Sequence, residues 1–183
     1  MRNCSSDRCS NSVHGHSAII EIVLGSRTLD NAGMVYDFGL LKGSVKQWID
    51  SMDHCHLIWN KDQDEYKDFF KRMNKRWIQL PFNPSAEMLS VFIFKYVQQI
   101  LNHHSKRNGE GDIKVVAVRY HETETGWAEC DATDVENLWD SRWDSQIMYS
   151  DGVLEDWSQE LKDCLFRGQV IINPKPQRQV YED

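Results

Sequence analysis

"IKVVAVRYHETETGWAEC", residues 113–130, decides the fold. Its first half is dense in Val and has the β-branched and aromatic composition of a strand. "TETG" is a turn signal, and "WAEC" runs back as a second, shorter strand. The stretch therefore predicts a β-hairpin. Upstream, "NPSAE" at 83–87 opens a helix, with Asn83 expected at the cap and Pro84 in the first turn. Leu89, Phe92, Ile93, Tyr96 and Ile100 carry its apolar stripe to about residue 102.

Further upstream, "HGHSAIIEIVL" at 14–24 predicts another strand, with His14, His16, Ala18, Ile20, Ile22 and Leu24 on one face. "GSRTLDNAG" turns it toward residues 34–38, expected as the partner strand of a first hairpin. Leu41, Val45, Trp48, Ile49 and Met52 recur at helical spacing, with Asp37 as a possible cap. A polar helix is expected over 62–76, with Tyr66, Phe69, Phe70 and Met73 on one side, and "WIQLPF" as a short extended piece. After Asp131 the reading gives short helices near 134–146 and 154–166, then an extended tail over 173–183. Two hairpins and the helices between them predict an α+β fold, an antiparallel sheet covered on one face, with a helical appendage over 136–183.

The chain has 183 residues, 40% hydrophobic and 27% charged, enough for one domain with a real core. A formal charge of -7 argues against broad nucleic-acid binding, which needs a basic footprint. No apolar run approaches the roughly 20 residues that cross a bilayer. "MRNCSSDRCSNS" lacks the apolar centre of a signal peptide. Five cysteines without a regular framework fit reduced thiols, so a cytoplasmic protein is expected.

Four of the seven histidines fall in "HGH" at 14–16 and "DHCH" at 53–56. Two imidazoles at i and i+2 of a strand can bind one metal, and catalytic zinc commonly takes three protein ligands with one position open. The pair is equally read as two polar residues at a strand edge. Cys4, Cys9, His14 and His16 could instead close a structural Cys2His2 site, and His14, His16, His54 and His56 a four-imidazole cluster. Cys9 is either an inert small side chain or, beside a metal, a thiolate base. Asp53 and His54 by themselves read as a helix-terminal pair, and Glu122 as a carboxylate that is either solvated or holding a ligand.

The order of these signals resembles the 6-pyruvoyl-tetrahydropterin synthase and 6-carboxytetrahydropterin synthase family. The residues that carry it are Cys9 ahead of His14, Gly15 and His16, then "GMVYDF" at 33–38, Asp53 and His54, "LPFNPSAEML" at 80–89, and "ETETGWA" at 122–128. They cover the chain up to about residue 130, so residues 1–135 are expected to form the pterin synthase-like unit.

The resemblance implies the tunnelling fold, in which antiparallel sheets join edge to edge into a barrel, commonly a trimer stacked as a hexamer, with sites near subunit boundaries. It implies Zn2+ on His14 and His16 and 7,8-dihydroneopterin triphosphate as substrate. Cys9 would abstract a proton, Asp53 and His54 would relay protons, and Glu122 would grip the pterin N–H edge. Ser85 would contribute a hydroxyl to substrate binding. "CSSDRC…HGHS" and "ETETGWA" look more like the bacterial branch that forms 6-carboxytetrahydropterin and acetaldehyde for queuosine synthesis. The alternatives are the pyruvoyl-forming branch and a non-catalytic pterin- or metal-binding relative.

The family also opens with a strand bearing an aromatic–x–Ala–Ala–His pattern, whose histidine is the third zinc ligand. No such pattern precedes Cys4. The natural protein is therefore expected to carry roughly twenty more residues upstream, a strand and its connection, and the chain from Met1 is expected to bind zinc poorly or to be inactive for want of that ligand.

Overall fold

A computed structural model describes residues 4–174. In chain order it contains α1 (Asp7–Ser10), β1 (Ile19–Gly25), α2 (Phe38–Leu41), α3 (Ser44–Asp50), β2 (His56–Trp59), α4 (Asp64–Met73), β3 (Trp77–Leu80) and α5 (Ala86–Asn102). These are followed by β4 (Lys114–His121), β5 (Trp127–Cys130), α6 (Ala132–Leu138), a 3-10 turn (Ser141–Ser145), β6 (Met148–Tyr149), α7 (Asp151–Leu154) and α8 (Gln159–Arg167). Residues 1–3, and 175–183 of the expected tail, lie outside the described residues.

The hairpin that opened the sequence reading is present: β4 pairs antiparallel with β5 from Val118↔Cys130 to His121↔Trp127. Helix α5 packs across β4 and β5. Its face buries Phe92, Ile93, Val97, Ile100 and Leu101 completely or nearly so. The core extends sideways through stacked rings, Trp48 flat on Tyr96 at 5.3 Å and Trp139 on Phe92 at 6.3 Å. Ser85, rather than Asn83, caps α5 by accepting a hydrogen bond from the Met88 amide at 3.3 Å. Its side-chain oxygen sits where the first-turn donors need an acceptor.

The other flank of β4 corrects the reading. The expected first hairpin is absent: β1 pairs antiparallel with β4, giving the order β1-β4-β5, and residues 34–38 are not a strand. Two carboxylates account for this. Asp30 accepts from the amides of Ala32 at 2.8 Å and Met34 at 2.9 Å, closing a tight turn. Asp37 accepts from Gly39 N and starts α2 as its cap. Too little chain remains between them for a strand. The expected helix from Leu41 to Met52 is likewise split, into α2 and α3, at Gly43.

The strand expected over 14–24 begins only at Ile19. Its partner at that point is His121, after which the chain turns, with Glu122 N donating to Gly126 O at 3.0 Å. Among the described residues, those before Ile19 have no partner strand, and His14 and His16 lie in an irregular lead-in. Within β1 the alternation holds: Ile20, Ile22 and Leu24 pack on the core while Ile19 and Val23 are exposed.

A second sheet, order β2-β3-β6, was not anticipated. Strand β2 runs parallel to β3, with His56 opposite Trp77, and α4 is the connection between them. Tyr66 and Phe70 of α4 lean on His56, whose ring stacks on Phe70 at 4.0 Å. Phe69 and Met73 are exposed, so only part of the expected apolar side is used. The helices expected near 134–146 and 154–166 are each divided, and β6 between them adds to the second sheet. Val153, Trp157, Leu161, Cys164 and Ile171 belong to the same buried cluster as α5. The fold is mixed α+β, with one antiparallel sheet and one sheet that is partly parallel.

Candidate functional site

The structure sorts the expected site residues into two groups. In the first, His16 and Glu122 meet across the end of the β1–β4 pair, Nε2 to Oε1 at 3.4 Å, both partly exposed. The His14 and His16 rings stand edge to face, 5.1 Å apart. His14 Nδ1 lies 2.8 Å from the Ser12 carbonyl oxygen, which can only accept. That nitrogen therefore carries a proton, and in the neutral ring the lone pair falls on Nε2, the form in which an imidazole ligates a metal. Cys9 lies in the single turn of α1, half-buried, with its amide donating to Ser6 O at 3.1 Å.

The second group is the turn that follows α3. His54 has φ of 54°, the only positive φ outside glycine among the described residues. A left-handed residue there, past the Ser51 cap of α3, turns the chain toward β2 at a steric cost that histidine meets more often than most side chains. His54 Nδ1 and Asp53 Oδ2 are 2.9 Å apart, and both side chains are open to solvent, at 87% and 77%. The hydrogen bond from His54 is the main reason the Asp53 carboxyl is held below its ordinary range. An ionised carboxylate fixes the neutral imidazole with its proton on Nδ1 and leaves Nε2 free to take or give one.

No hydrogen bond, ion pair or ring contact joins Asp53 or His54 to His14, His16 or Glu122. Ser85 spends its oxygen on the cap of α5. Among the described residues no group of three or more His, Cys, Asp and Glu is placed to hold a metal ion. The Cys2His2 and four-imidazole alternatives are therefore not assembled within one described chain. For zinc, His14 and His16 fit in kind but fall one donor short of three, so no chemical step is derived through the ion.

The sequence reading missed two features. Buried His104 is the first: its Nδ1 faces the Tyr36 hydroxyl and its Nε2 lies 2.7 Å from Ser44 Oγ. A serine and a histidine at that distance, lining a cleft of about 890 Å3, invite a nucleophile reading. The protons argue otherwise. Asn173 Nδ2 donates to Tyr36 OH at 2.9 Å, so the buried tyrosine must send its own proton to His104 Nδ1. The imidazole then donates from Nε2 to Ser44, and no lone pair remains to activate the hydroxyl. Burial pushes the His104 pKa down to about 4 and that of Tyr36 up to about 12, as expected of a neutral structural network. The "HH" at the end of α5 was its only trace in the sequence. The second feature is Arg76, whose guanidinium reaches the carbonyls of Ser51 and Asp53.

No helix among the described residues is long and apolar enough to cross a membrane. The family profile described as 6-pyruvoyl tetrahydropterin synthase matches residues 1–133. A 6-carboxy-5,6,7,8-tetrahydropterin synthase of Helicobacter pylori (strain J99) is 39% identical over 137 residues, covering 75% of this chain and 68% of the relative. One of Aquifex aeolicus is 34% identical over 126 residues, covering 67% of this chain and 75% of that protein. The solved structure of uncharacterized protein WS1659 from Wolinella succinogenes superposes with a TM-score of 0.47 at 18% identity, over 64% of this chain and 77% of that one.

Proposed function

Since the chain belongs to the 6-pyruvoyl tetrahydropterin synthase family, we propose that it converts 7,8-dihydroneopterin triphosphate to 6-carboxy-5,6,7,8-tetrahydropterin, releasing triphosphate and acetaldehyde, as a cytoplasmic lyase of queuosine synthesis. The observation that carries this reading is the Asp53–His54 pair, an oriented and solvent-open imidazole set in a strained backbone position. A residue held at such a cost in an exposed turn is a functional candidate. The curated relatives named for the carboxy-forming activity support that branch.

In this reading Cys9, as thiolate, removes a proton from the substrate side chain. His54 returns protons through Nε2 while Asp53 keeps it oriented. Glu122 accepts two hydrogen bonds from the pterin N–H edge, a fit like that of a carboxylate on a guanidinium. Ser85 offers its hydroxyl proton to the substrate while its oxygen caps α5. His14 and His16 are proposed as this chain's contribution to a Zn2+ site.

The separation of the two groups within one chain supports a site shared between copies. Strands β1 and β5 are the edges of the first sheet, and edges need covering. We assign them to edge-to-edge pairing in a homo-oligomeric barrel, with one copy's Asp53–His54 beside its neighbour's Glu122. Residues 1–135 are taken as the pterin synthase unit.

The test is incubation of the protein and zinc with 7,8-dihydroneopterin triphosphate, followed by mass analysis. A carboxy product with acetaldehyde upholds the proposal, and a pyruvoyl product moves the chain to the other branch. Bound but unconverted pterin makes it a binding relative, the reading that the two-imidazole count favours. Cys9→Ala is expected to bind substrate and lose turnover. Native mass spectrometry is expected to show a partial zinc load on the wild type, as two imidazoles would give, and a weaker one on His14→Ala.

A further inference from the structure

Arg76, the residue before β3, makes four hydrogen bonds from a partly buried guanidinium. Nε donates to Asp53 O at 3.1 Å and Nη2 to Ser51 O at 2.8 Å, both in the turn that carries His54. Nη1 donates to Gly152 O at 2.7 Å, and Nη2 also reaches Asp156 Oδ2 at 2.6 Å. One planar group thus ties the Asp53–His54 turn to α7 and the residues after it. Of the partners of Arg76, Gly152 and Asp156 lie beyond the family match, which ends at 133.

Two independent contacts join the same pieces. Trp157 Nε1 donates to Ser51 Oγ at 2.8 Å, and Ser158 N donates to Gln47 Oε1 at 3.0 Å. The close approach is also built into Gly152, where a Cβ would stand 2.4 Å from the Lys75 carbonyl oxygen. A bland account is available, since an arginine commonly closes the last carbonyls of a helix. It covers Ser51 O. It does not explain a guanidinium on the carbonyl of Asp53 itself, braced by a carboxylate from 80 residues away.

We propose that Arg76, braced by Asp156, is the positioning residue of the Asp53–His54 pair, and that the segment over 148–158 thereby serves the proton relay. The inference rests on the functional reading above. A left-handed residue with an exposed ring has few contacts of its own to hold it, and the angle at which Nε2 meets substrate is fixed through the backbone of residues 51–53. Misplacing such a group by about 1 Å is enough to cost about 100-fold in rate.

The experiment compares the full chain with Arg76→Gln, Asp156→Asn and Arg76→Lys, reading the side-chain nitrogens of His54 by 1H–15N spectroscopy beside kcat and KM. In the wild type His54 is expected to show the Nδ1–H tautomer set by Asp53. In Arg76→Gln and Asp156→Asn the signals should move toward the tautomer mixture of a solvent histidine. In those variants kcat should fall about 10- to 100-fold, with KM changed less than about twofold. Arg76→Lys should restore only part, because one ammonium cannot reach four acceptors in a plane. If Arg76→Gln does not fold, Asp156→Asn decides, since it alters a half-exposed carboxylate at one contact. A folded variant with wild-type His54 signals overturns the inference. A wild type that leaves dihydroneopterin triphosphate untouched overturns the functional reading instead, and the nitrogen spectra still decide the role of Arg76.

Discussion

His54 and His104 carry the same side chain into opposite circumstances. His104 is buried, with both ring nitrogens engaged by Tyr36 and Ser44. His54 is open to water, pairs its Nδ1 with Asp53, and sits on a backbone angle that side chains avoid. The fold surrounds His104 with partners and so removes it from chemistry at neutral pH. It places His54 at a steric cost and leaves one nitrogen unspent. His104 thus serves stability through satisfied protons, and in the proposed function His54 serves turnover through an oriented ring.

The largest expected effect that would break this contrast is on rate. His54→Asn keeps a residue tolerant of the left-handed angle and removes the imidazole, and kcat should fall about 100- to 10,000-fold. Its unfolding free energy should stay within about 0.5 kcal/mol of the wild type by urea titration. His104→Ala should behave in reverse. It leaves the Tyr36 and Ser44 hydroxyls without their partner and opens a cavity, so denaturant unfolding should report a loss of about 4 kcal/mol.

The pH dependence sharpens the same comparison. The His104 pKa is about 4 in the folded chain against an ordinary 6.5. Between those values the unfolded chain takes up a proton that the folded chain refuses. The associated stability is therefore whole above pH 6.5 and is lost as the pH falls toward 4, by about 3 kcal/mol in total. Urea midpoints over that range should show the decline in the wild type and in His54→Asn, and should lose its His104 component in His104→Ala. The smallest effect expected is for Tyr36→Phe, which strips one hydroxyl from the network and should cost about 1 kcal/mol. A larger loss than for His104→Ala would place the centre of the network on the tyrosine.

Legibility in the sequence followed the range of the interactions. The β4–β5 hairpin, the turn between them and α5 are set by local composition and spacing, and all three could be read. Residues 34–38 were misread because Asp30 takes the Met34 amide into a tight turn and Asp37 caps α2 at Gly39, leaving too short a stretch between them for a strand. The β2–β3 pairing and the two-residue β6 depend on partners far along the chain and leave no periodic trace. At the site, the resemblance supplied Cys9, His14, His16, Asp53, His54 and Glu122; the structure sets the two imidazoles of 14 and 16 beside the Glu122 carboxylate and makes Asp53 and His54 a separate couple. Arg76 was invisible because nothing in "NKRWIQ" shows which carbonyls will surround it.

The most direct test of the account is the mass of the pterin recovered from 7,8-dihydroneopterin triphosphate after parallel incubations with the wild type and with His54→Asn, zinc present in both. The account predicts 6-carboxytetrahydropterin with acetaldehyde from the first and intact substrate from the second. Equal conversion by the two proteins would contradict it.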